Sequence, residues 1–173
     1  VPPLNVLILG PQGAGKGTQA KRIAEEYEIP HIATGDLYRA AAAAGTDLGR
    51  LVAPLLEEGK LVPDEITIPL IREEVLKAVD GFVLDGFPRN IAQAEALDEL
   101  LDEIARLLLI VLLLQLDDEA ARERLTKRGK LEGRADDTPE AIDRRLSDYH
   151  AKTEQVVDHY RLSGKLVQIH AER

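Results

Sequence analysis

Gly10-Pro11-Gln12-Gly13-Ala14-Gly15-Lys16-Gly17-Thr18 is the stretch that decides the fold of this chain. It follows an apolar run, Leu4 to Leu9, and leads into a helix-like run, Gln19 to Tyr27. A strand, a glycine-rich loop and a helix in that order make a phosphate cradle, because the glycines let successive backbone N–H groups point at one anion and the helix adds its positive N-terminus. Lys16 adds a mobile positive charge, and Thr18 adds a hydroxyl near a metal ion. The stretch therefore predicts a nucleoside triphosphate site.

Composition limits what else the chain can do. With 173 residues and 45% hydrophobic residues, residues 1–173 suit a single domain with an ordinary core. The net charge of −9 argues against a general binder of nucleic acid or membrane surfaces, so an anionic ligand needs a local cluster of cations. The longest apolar run, residues 107–114, is far too short to span a membrane.

Three residue types are missing from the chain: Cys, Met and Trp. Without cysteine there are no disulfides and no thiolate zinc sites, which fits the cytoplasmic location that we expect. The joint absence of all three types indicates an edited, reconstructed or designed sequence, or alternatively a cleaved natural chain with chance omissions.

Strand-like and helix-like segments alternate along the chain. We predict five strands, at residues 4–9, 31–33, 81–85, 107–116 and 166–169, and helices at residues 16–27, 36–44, 47–58, 63–79, 90–104, 117–128 and 138–161. The alternation is typical of an α/β fold with a five-stranded parallel sheet and helices on both faces. Residues 107–116 are apolar on both faces and are predicted to form the central strand. Two inserts stand out, residues 34–63 and the charged loop 129–137.

Asp85 ends the third predicted strand. A carboxylate there, beside the glycine-rich loop, holds Mg²⁺ directly or through water. An acid at a strand end is, taken alone, more often a helix cap. The upstream loop favours the metal role.

Six arginines lie at or near breaks in the pattern: Arg39, Arg89, Arg124, Arg128, Arg134 and Arg145. Arginine suits phosphate because its planar fork donates two parallel hydrogen bonds and stays charged. One nucleoside triphosphate needs only the loop, its lysine and one arginine, so this excess predicts a second phosphorylated substrate. Five other arginines are assigned to surface ion pairs: Arg22, Arg72, Arg106, Arg122 and Arg144. The four histidines fall in no motif, and we predict no general base.

Four motifs in order resemble the adenylate kinase family, in register from about residue 4 to 161. They are residues 10–20, Thr34-Gly35-Asp36-Leu37-Tyr38-Arg39, Asp85-Gly86-Phe87-Pro88-Arg89 with Gln93, and Glu132-Gly133-Arg134-Ala135-Asp136-Asp137. The resemblance implies a monomer with the P-loop NTPase fold. It also implies reversible, Mg²⁺-dependent transfer of the γ-phosphoryl of ATP to AMP, which gives two ADP.

The resemblance also assigns roles to residues. ATP would be held by Gly13, Ala14, Gly15, Lys16, Gly17, Thr18, Arg124 and Arg128. AMP would be held by Thr34, Arg39, Lys60, Leu61, Val62, Gly86, Arg89, Gln93, Arg134 and Arg145. The catalytic residues would be Lys16, Arg89, Arg128, Arg134 and Arg145, with Thr18 and Asp85 holding Mg²⁺ mostly through water. Residues 34–63 would form the mobile AMP-binding lobe, and residues 129–137 a short lid without zinc.

The sequence departs from the family pattern in two further respects. Gln12 stands where the family usually has proline, which leaves the backbone cradle intact. The family also continues beyond the last strand with a loop against the ATP base and a final helix, whereas this sequence ends at residues 170–173. We therefore expect a C-terminally truncated member with weaker ATP binding and lower stability.

Three alternatives remain beside an adenylate kinase. A kinase for UMP or CMP shares the loop and the arginines, but Thr34 with Gln93 favours AMP, and turnover of different acceptors separates the two. A nucleotide-binding scaffold with little catalysis is separated by a Lys16→Ala control in an ADP-formation assay. A regulatory NTPase has little support, because the two inserts and the many arginines suit two small anions better than a protein partner.

Overall fold

The computed structural model describes residues 3–133 and 138–171. In these residues the strands are β1 (Leu4–Leu9), β2 (His31–Ala33), β3 (Gly81–Asp85), β4 (Ile110–Gln115) and β5 (Leu166–His170). The helices are α1 (Lys16–Tyr27), α2 (Thr34–Ala44), α3 (Asp47–Glu57), α4 (Asp64–Lys77), α5 (Ile91–Glu103), α6 (Asp118–Glu132), α7 (Pro139–Asp148) and α8 (Glu154–Arg161). A single π-helical turn, Tyr149–Thr153, joins α7 to α8.

The five strands form one sheet in the order β2-β3-β1-β4-β5, and every pair is parallel. The predicted α/β fold with a five-stranded parallel sheet is therefore confirmed, and it is the arrangement of a P-loop NTPase. This order brings the carboxyl ends of β1 and β3 together, so the loop after β1 faces the end of β3.

The prediction that residues 107–116 form the central strand is wrong in two respects. β1 is the middle strand of the sheet, and β4 spans only Ile110–Gln115. Leu107 and Leu109 are 76% and 62% exposed, although the N–H of Leu109 already donates to the carbonyl oxygen of Asn5 in β1 at 2.9 Å. Apolar character alone does not reveal which side chains of a segment are buried.

Alternate residues of the strands point to the two sides of the sheet. Leu7, Phe82 and Leu84 pack with α4, α5 and α8 in the larger core, while Val6, Ile8 and Val83 pack with α1 in the smaller one. Helices therefore cover both faces, as predicted, although one face receives three helices and the other mainly α1.

Two smaller clusters position the inserted segments. Tyr38, Val52 and Val62 form a separate core for α2, α3 and the start of α4, and the Tyr38 hydroxyl hydrogen-bonds the Thr67 hydroxyl at 2.6 Å. Ala121, Leu125, Ile142 and Leu146 pack α6 against α7. These clusters place cationic residues of α2, α6 and α7 above the carboxyl edge of the sheet.

Several predicted boundaries shift. α2 begins at Thr34 rather than residue 36, and α4 ends at Lys77, because Ala78 leaves the helical conformation. α6 continues to Glu132, so residues 129–132 are helical and not part of a loop. Gly129 lies inside α6, where a glycine costs about 1 kcal/mol relative to alanine. The glycine that adopts the left-handed conformation and ends the helix is Gly133. The rest of the predicted lid, residues 134–137, lies outside the described residues.

Within the described part of the chain, no helix combines the length and the apolar character needed to cross a lipid bilayer.

Candidate active site

The loop between β1 and α1 has the backbone that the glycine pattern predicts. Gly13 and Gly15 have φ angles of +86° and +91°, which favour glycine, and Gly15 directly precedes α1. None of the described side chains caps α1 at Gly15, so the first N–H groups of the helix are available to a ligand. The arrangement is an anion site built from backbone and a helix N-terminus.

Lys16 is held inside the loop. Its Nζ donates to the carbonyl oxygen of Pro11 at 3.1 Å, and the residue is only 8% exposed. The pKa of Lys16 is lowered to about 8, chiefly because the group is buried and also because of the charges of Arg89 and Arg128, while the charge of Asp85 acts in the opposite direction. A bound phosphate would supply the negative charge that this lysine lacks.

Asp85 lies beside the loop at the end of β3, buried except for 12% of its side chain. Burial raises the pKa of Asp85, but a hydrogen bond from His31 and the charges of Lys16, His31 and Arg89 outweigh it, so the pKa lies below its usual range. His31 Nε2 donates to Asp85 Oδ2 at 3.1 Å. A Cβ added to Gly17 would lie 3.8 Å from Asp85 Oδ2, so the carboxylate lies against the N-terminus of α1.

The donors around the loop suit Mg²⁺. Thr18 provides a hydroxyl and Asp85 an ionised carboxylate, and both side chains border the same cleft. Magnesium prefers oxygen ligands and keeps several waters beside one or two carboxylates and substrate phosphates. Among the described residues, no three His, Cys, Asp or Glu side chains gather to bind a metal by themselves. The site therefore fits an ion that arrives with a phosphorylated substrate.

An open cleft of about 540 Å³ lies over this edge of the sheet, and cations dominate its lining. Eight cationic residues face three acidic ones there. The cations are Lys16, Lys21, Arg39, Lys60, Arg89, Arg124, Arg128 and Arg145, and the acids are Asp36, Asp85 and Glu132. In a chain with a net charge of −9, this concentration marks a site for several negative charges.

Arg89 is central to this cationic cluster. Its Nε donates to the carbonyl oxygen of Gly86 at 2.7 Å, and its own carbonyl accepts a hydrogen bond of 2.8 Å from the Thr153 hydroxyl in the π-helical turn. Desolvation in the cleft lowers the pKa of Arg89, Asp85 opposes this, and Arg145 and Arg39 add to the lowering. Several positive groups thus meet where their mutual repulsion favours a bound anion.

A second, smaller pocket of about 40 Å³ opens beside the main cleft. Gly35, Leu56, Lys60, Gly86 and Arg89 line both spaces, so the small pocket continues from the cationic cleft. The remaining lining residues are Thr34, Tyr38, Leu61, Val62, Thr67 and Gln93. A largely apolar pocket with a few polar groups next to a phosphate site suits the base of a nucleotide.

The comparison with known families decides the identification. The model of a family described as adenylate kinase matches residues 8–165 of this chain. The chain belongs to the adenylate kinase family.

Individual relatives agree with this. An adenylate kinase of Thermus thermophilus is 48% identical over 164 residues, which cover 95% of this chain and 87% of the relative. Adenylate kinases of Hyphomonas neptunium and Stenotrophomonas maltophilia are 46% and 45% identical over 168 residues, covering 96% of this chain and 89% and 90% of those proteins.

The structure brings together most residues that the resemblance to adenylate kinases singled out. Those lining the cationic cleft are Gly13, Gly15, Lys16, Gly17, Thr18, Arg39, Lys60, Asp85, Gly86, Arg89, Arg124, Arg128 and Arg145, and Thr34, Leu61, Val62 and Gln93 line the smaller pocket. Ala14 instead packs into the core beneath the loop, which leaves only its backbone for a ligand. Arg134 lies outside the described residues.

Arg124 links two parts of the site. It donates to the carbonyl oxygens of Gly13, at 3.4 Å, and Ala171, at 2.6 Å. It therefore ties α6 to the phosphate loop and to the segment after β5. Gln12, at the position where adenylate kinases usually have proline, lines the cleft beside the loop.

The sequence patterns do not identify His31 as part of the site, because it falls in no motif. His31 starts β2, which pairs with β3, and its ring hydrogen-bonds the carboxylate of Asp85. The available signal was its place at the start of a strand, but recognising it required the β2–β3 pairing.

Among the arginines assigned to surface ion pairs, Arg72 pairs with Glu103 and Arg122 pairs with Asp143, as predicted. The assignment of Arg106 is wrong. It donates to the carbonyl oxygen of Ala78 at 2.6 Å, where α4 has just ended and its last carbonyls lack helical partners.

Proposed function

We propose that this chain catalyses the reversible transfer of the γ-phosphoryl group of ATP to AMP, giving two molecules of ADP. The observation that supports this most directly is one cleft lined both by the phosphate loop and by a separate group of arginines. A single nucleotide would leave most of those cations unused, whereas a donor and an acceptor account for them.

We assign the donor half of the cleft to ATP. The backbone of Gly13 to Thr18 surrounds its phosphates, and Lys16 follows the group in transfer. Arg128 faces the same space, and its positive charge contributes to lowering the pKa of Lys16. We assign Arg124, which donates to the carbonyl oxygens of Gly13 and Ala171, to the base of ATP.

We assign the acceptor half to AMP. Arg39, Arg89 and Arg145 hold its phosphate, and the base enters the smaller pocket beside Thr34 and Gln93. Lys60, Leu61 and Val62 line that pocket from the lobe of residues 34–63, and Gly86 also lines it. We propose that the lobe and a lid at 129–137, including Arg134, close over the substrates and exclude water.

The chemical step needs no general base. An oxygen of the AMP phosphate attacks the γ-phosphorus of ATP, the bond from that phosphorus to the β–γ bridging oxygen breaks, and the electron pair leaves with the β-phosphate of ADP. The attacking oxygen is already ionised at neutral pH. Lys16, Arg89, Arg128, Arg134 and Arg145 therefore act by positioning the two phosphates and neutralising their charge.

Thr18 and Asp85 would hold Mg²⁺, mostly through water. When bound with ATP, the ion would supply positive charge that neutralises the phosphates. The bond from His31 keeps Asp85 ionised and oriented for this role.

We infer that ATP, AMP and ADP are the partners of this chain, that nucleic acid and membranes are not, and that the chain acts as a monomer in the cytoplasm. The acidic overall charge supports the exclusion of nucleic acid and membrane surfaces.

The test is an assay of ADP formation from ATP with AMP, CMP, UMP or GMP as acceptor, with and without Mg²⁺. We expect AMP to be the preferred acceptor and Mg²⁺ to be required. Lys16→Ala should lower kcat by about 10²- to 10³-fold, because one preorganised cation at the transferred group is lost.

Two results would contradict the proposal. A preference for a pyrimidine nucleotide would identify a UMP or CMP kinase instead. The absence of any ADP formation that depends on Lys16 would leave only a nucleotide-binding scaffold.

A further inference from the structure

Gln93, which lines the smaller pocket, is held from both ends of its amide. Its Oε1 accepts a hydrogen bond of 2.8 Å from the backbone N–H of Arg89. Its Nε2 donates to Asp64 Oδ1 at 2.9 Å. The residue is 2% exposed and lies in the first turn of α5, so its side chain has little freedom to move.

These two partners allow only one orientation of the amide. A backbone N–H can only donate, and an ionised carboxylate can only accept. If the amide rotated by 180°, its NH₂ group would face the N–H of Arg89 and its oxygen would face the carboxylate of Asp64. Both contacts would then be repulsive, and two partly buried hydrogen bonds would be lost.

Asp64 also fixes the orientation of a second side-chain amide, that of Asn90. Asn90 caps α5, because its Oδ1 accepts from the backbone N–H of Gln93 at 2.8 Å. Its Nδ2 therefore points away from that N–H and donates to Asp64 Oδ1 at 3.1 Å. Asp64 thus joins the start of α4, directly after the lobe of residues 34–63, to the first turn of α5.

The fixed amide of Gln93 still has one acceptor site and one donor site for a ligand, because two of its four hydrogen-bonding positions are used. Adenine offers an amino group that donates and a neighbouring ring nitrogen that accepts. A 6-oxopurine offers the reverse, an oxygen that accepts and an N–H that donates. An amide free to rotate would match either base, whereas a fixed amide matches one.

We propose that Asp64 is a specificity-determining positioning residue, which locks the amide of Gln93 so that the acceptor pocket takes adenine and rejects 6-oxopurines. The inference rests on the proposed function, since it needs AMP in the smaller pocket. Asp64 acts through Gln93 and does not itself line that pocket.

The test measures binding of AMP and IMP by calorimetry, so that its result does not depend on phosphoryl transfer. IMP differs from AMP only at this edge of the base, where a 6-oxo group and a ring N–H replace the 6-amino group and the ring nitrogen. Asp64→Ala removes the carboxylate, and Asp64→Ser replaces it by a hydroxyl that donates or accepts. Glu65→Ala is the matched control, because Glu65 is the other acid in the first turn of α4 and has no bond to Gln93 among the described contacts.

We expect the wild-type protein and Glu65→Ala to share one strong preference for AMP over IMP. In Asp64→Ala and Asp64→Ser the ratio of the Kd of IMP to the Kd of AMP should fall about tenfold, while the Kd of ATP stays unchanged. The second variant retains a polar side chain at the start of α4, so it covers the case in which the alanine variant does not fold.

An unchanged ratio in both Asp64 variants, or the same fall in Glu65→Ala, would overturn the inference. A wild-type protein that binds AMP and IMP equally would also overturn it. ADP formation by the same wild-type sample separately reports the proposed function, so the two failures are distinguishable.

Discussion

Lys16 is a buried cation whose partner is expected to be a substrate. It lies at the N-terminus of α1, with only a carbonyl oxygen, that of Pro11, as hydrogen-bond acceptor among the described residues. Burial, together with the charges of Arg89 and Arg128, lowers its pKa to about 8 despite the opposing charge of Asp85. This buried positive charge therefore favours the binding of a polyanion, and it is electrostatically unfavourable in the free protein.

The affinity for ATP should fall as the pH rises through about 8. The free protein loses the Lys16 proton there, whereas bound phosphates keep the lysine protonated to a higher pH. The Kd of ATP, measured by calorimetry, should be about tenfold higher at pH 9.5 than at pH 7. In Lys16→Gln the Kd should be higher at every pH and should not change near pH 8. A wild-type Kd that stays constant to pH 9.5 would contradict the lowered pKa.

At the scale of elements, the contact between α2 and α3 depends on one glycine. A Cβ added to Gly49 would lie 2.0 Å from the carbonyl oxygen of Ala41 and 2.8 Å from Cα of Ala42. Gly49 is buried inside α3, and its N–H donates to the cap residue Thr46 at 3.0 Å. The two helices of the lobe at residues 34–63 therefore approach each other by backbone contact.

Gly49→Ala should destabilise the protein, although alanine usually improves a helix interior by about 0.5–1 kcal/mol. We expect the free energy of unfolding to fall by about 1–3 kcal/mol, because the added methyl group forces the backbone of α2 away. Ala43→Gly is the control, because it makes the reverse change at an exposed position of α2. Its effect on the free energy of unfolding reports the difference in helix propensity between alanine and glycine without a packing contribution. Denaturant unfolding of both variants is the measurement, and a more stable Gly49→Ala protein would show that the close approach does not persist in solution.

Other elements show which boundaries a local pattern can predict. The helix starts at Asn90, Asp117 and Thr138 follow from residues whose side chains cap a helix, and all three caps are present. The end of α6 and the π-helical turn at Tyr149–Thr153 do not follow from such signals. The end of α6 depends on which of two glycines adopts the left-handed conformation. The π-helical turn accompanies the hydrogen bond from the Thr153 hydroxyl to the carbonyl oxygen of Arg89 across the site.

At the scale of the molecule, the sheet separates two cores of unequal size. α4, α5 and α8 cover one face, and α1 is the main cover of the other. Leu97 of α5 lies in the larger core and is 1% exposed, whereas Leu162, just after α8, is 91% exposed.

Leu97→Ala should lower the free energy of unfolding by about 2–5 kcal/mol, because it removes buried methyl groups and leaves a cavity in the larger core. Leu162→Ala removes the same atoms from solvent and should change it by less than about 0.5 kcal/mol. Guanidinium unfolding of both variants provides the comparison. Equal effects would be inconsistent with a core on this face of the sheet.

The resemblance to adenylate kinases implied most residues of the cleft. The sequence by itself determined the phosphate loop, the order of strands and helices along the chain, and the parallel sheet. These features follow from short-range patterns: glycines next to a lysine, apolar runs of strand length, and capping residues before helices. Because the carboxyl ends of parallel strands share one edge, the motifs at those ends, such as Lys16 and Asp85, had to meet.

Only the tertiary structure decided which side chains meet at a distance. The contact of His31 with Asp85 joins residues 54 positions apart, and that of Asp64 with Gln93 joins residues 29 positions apart. Strand order likewise made β1 rather than β4 the central strand. The reason is physical: a hydrogen bond or a close backbone contact depends on atomic positions set by the packing of whole elements, which no local pattern of residue types specifies.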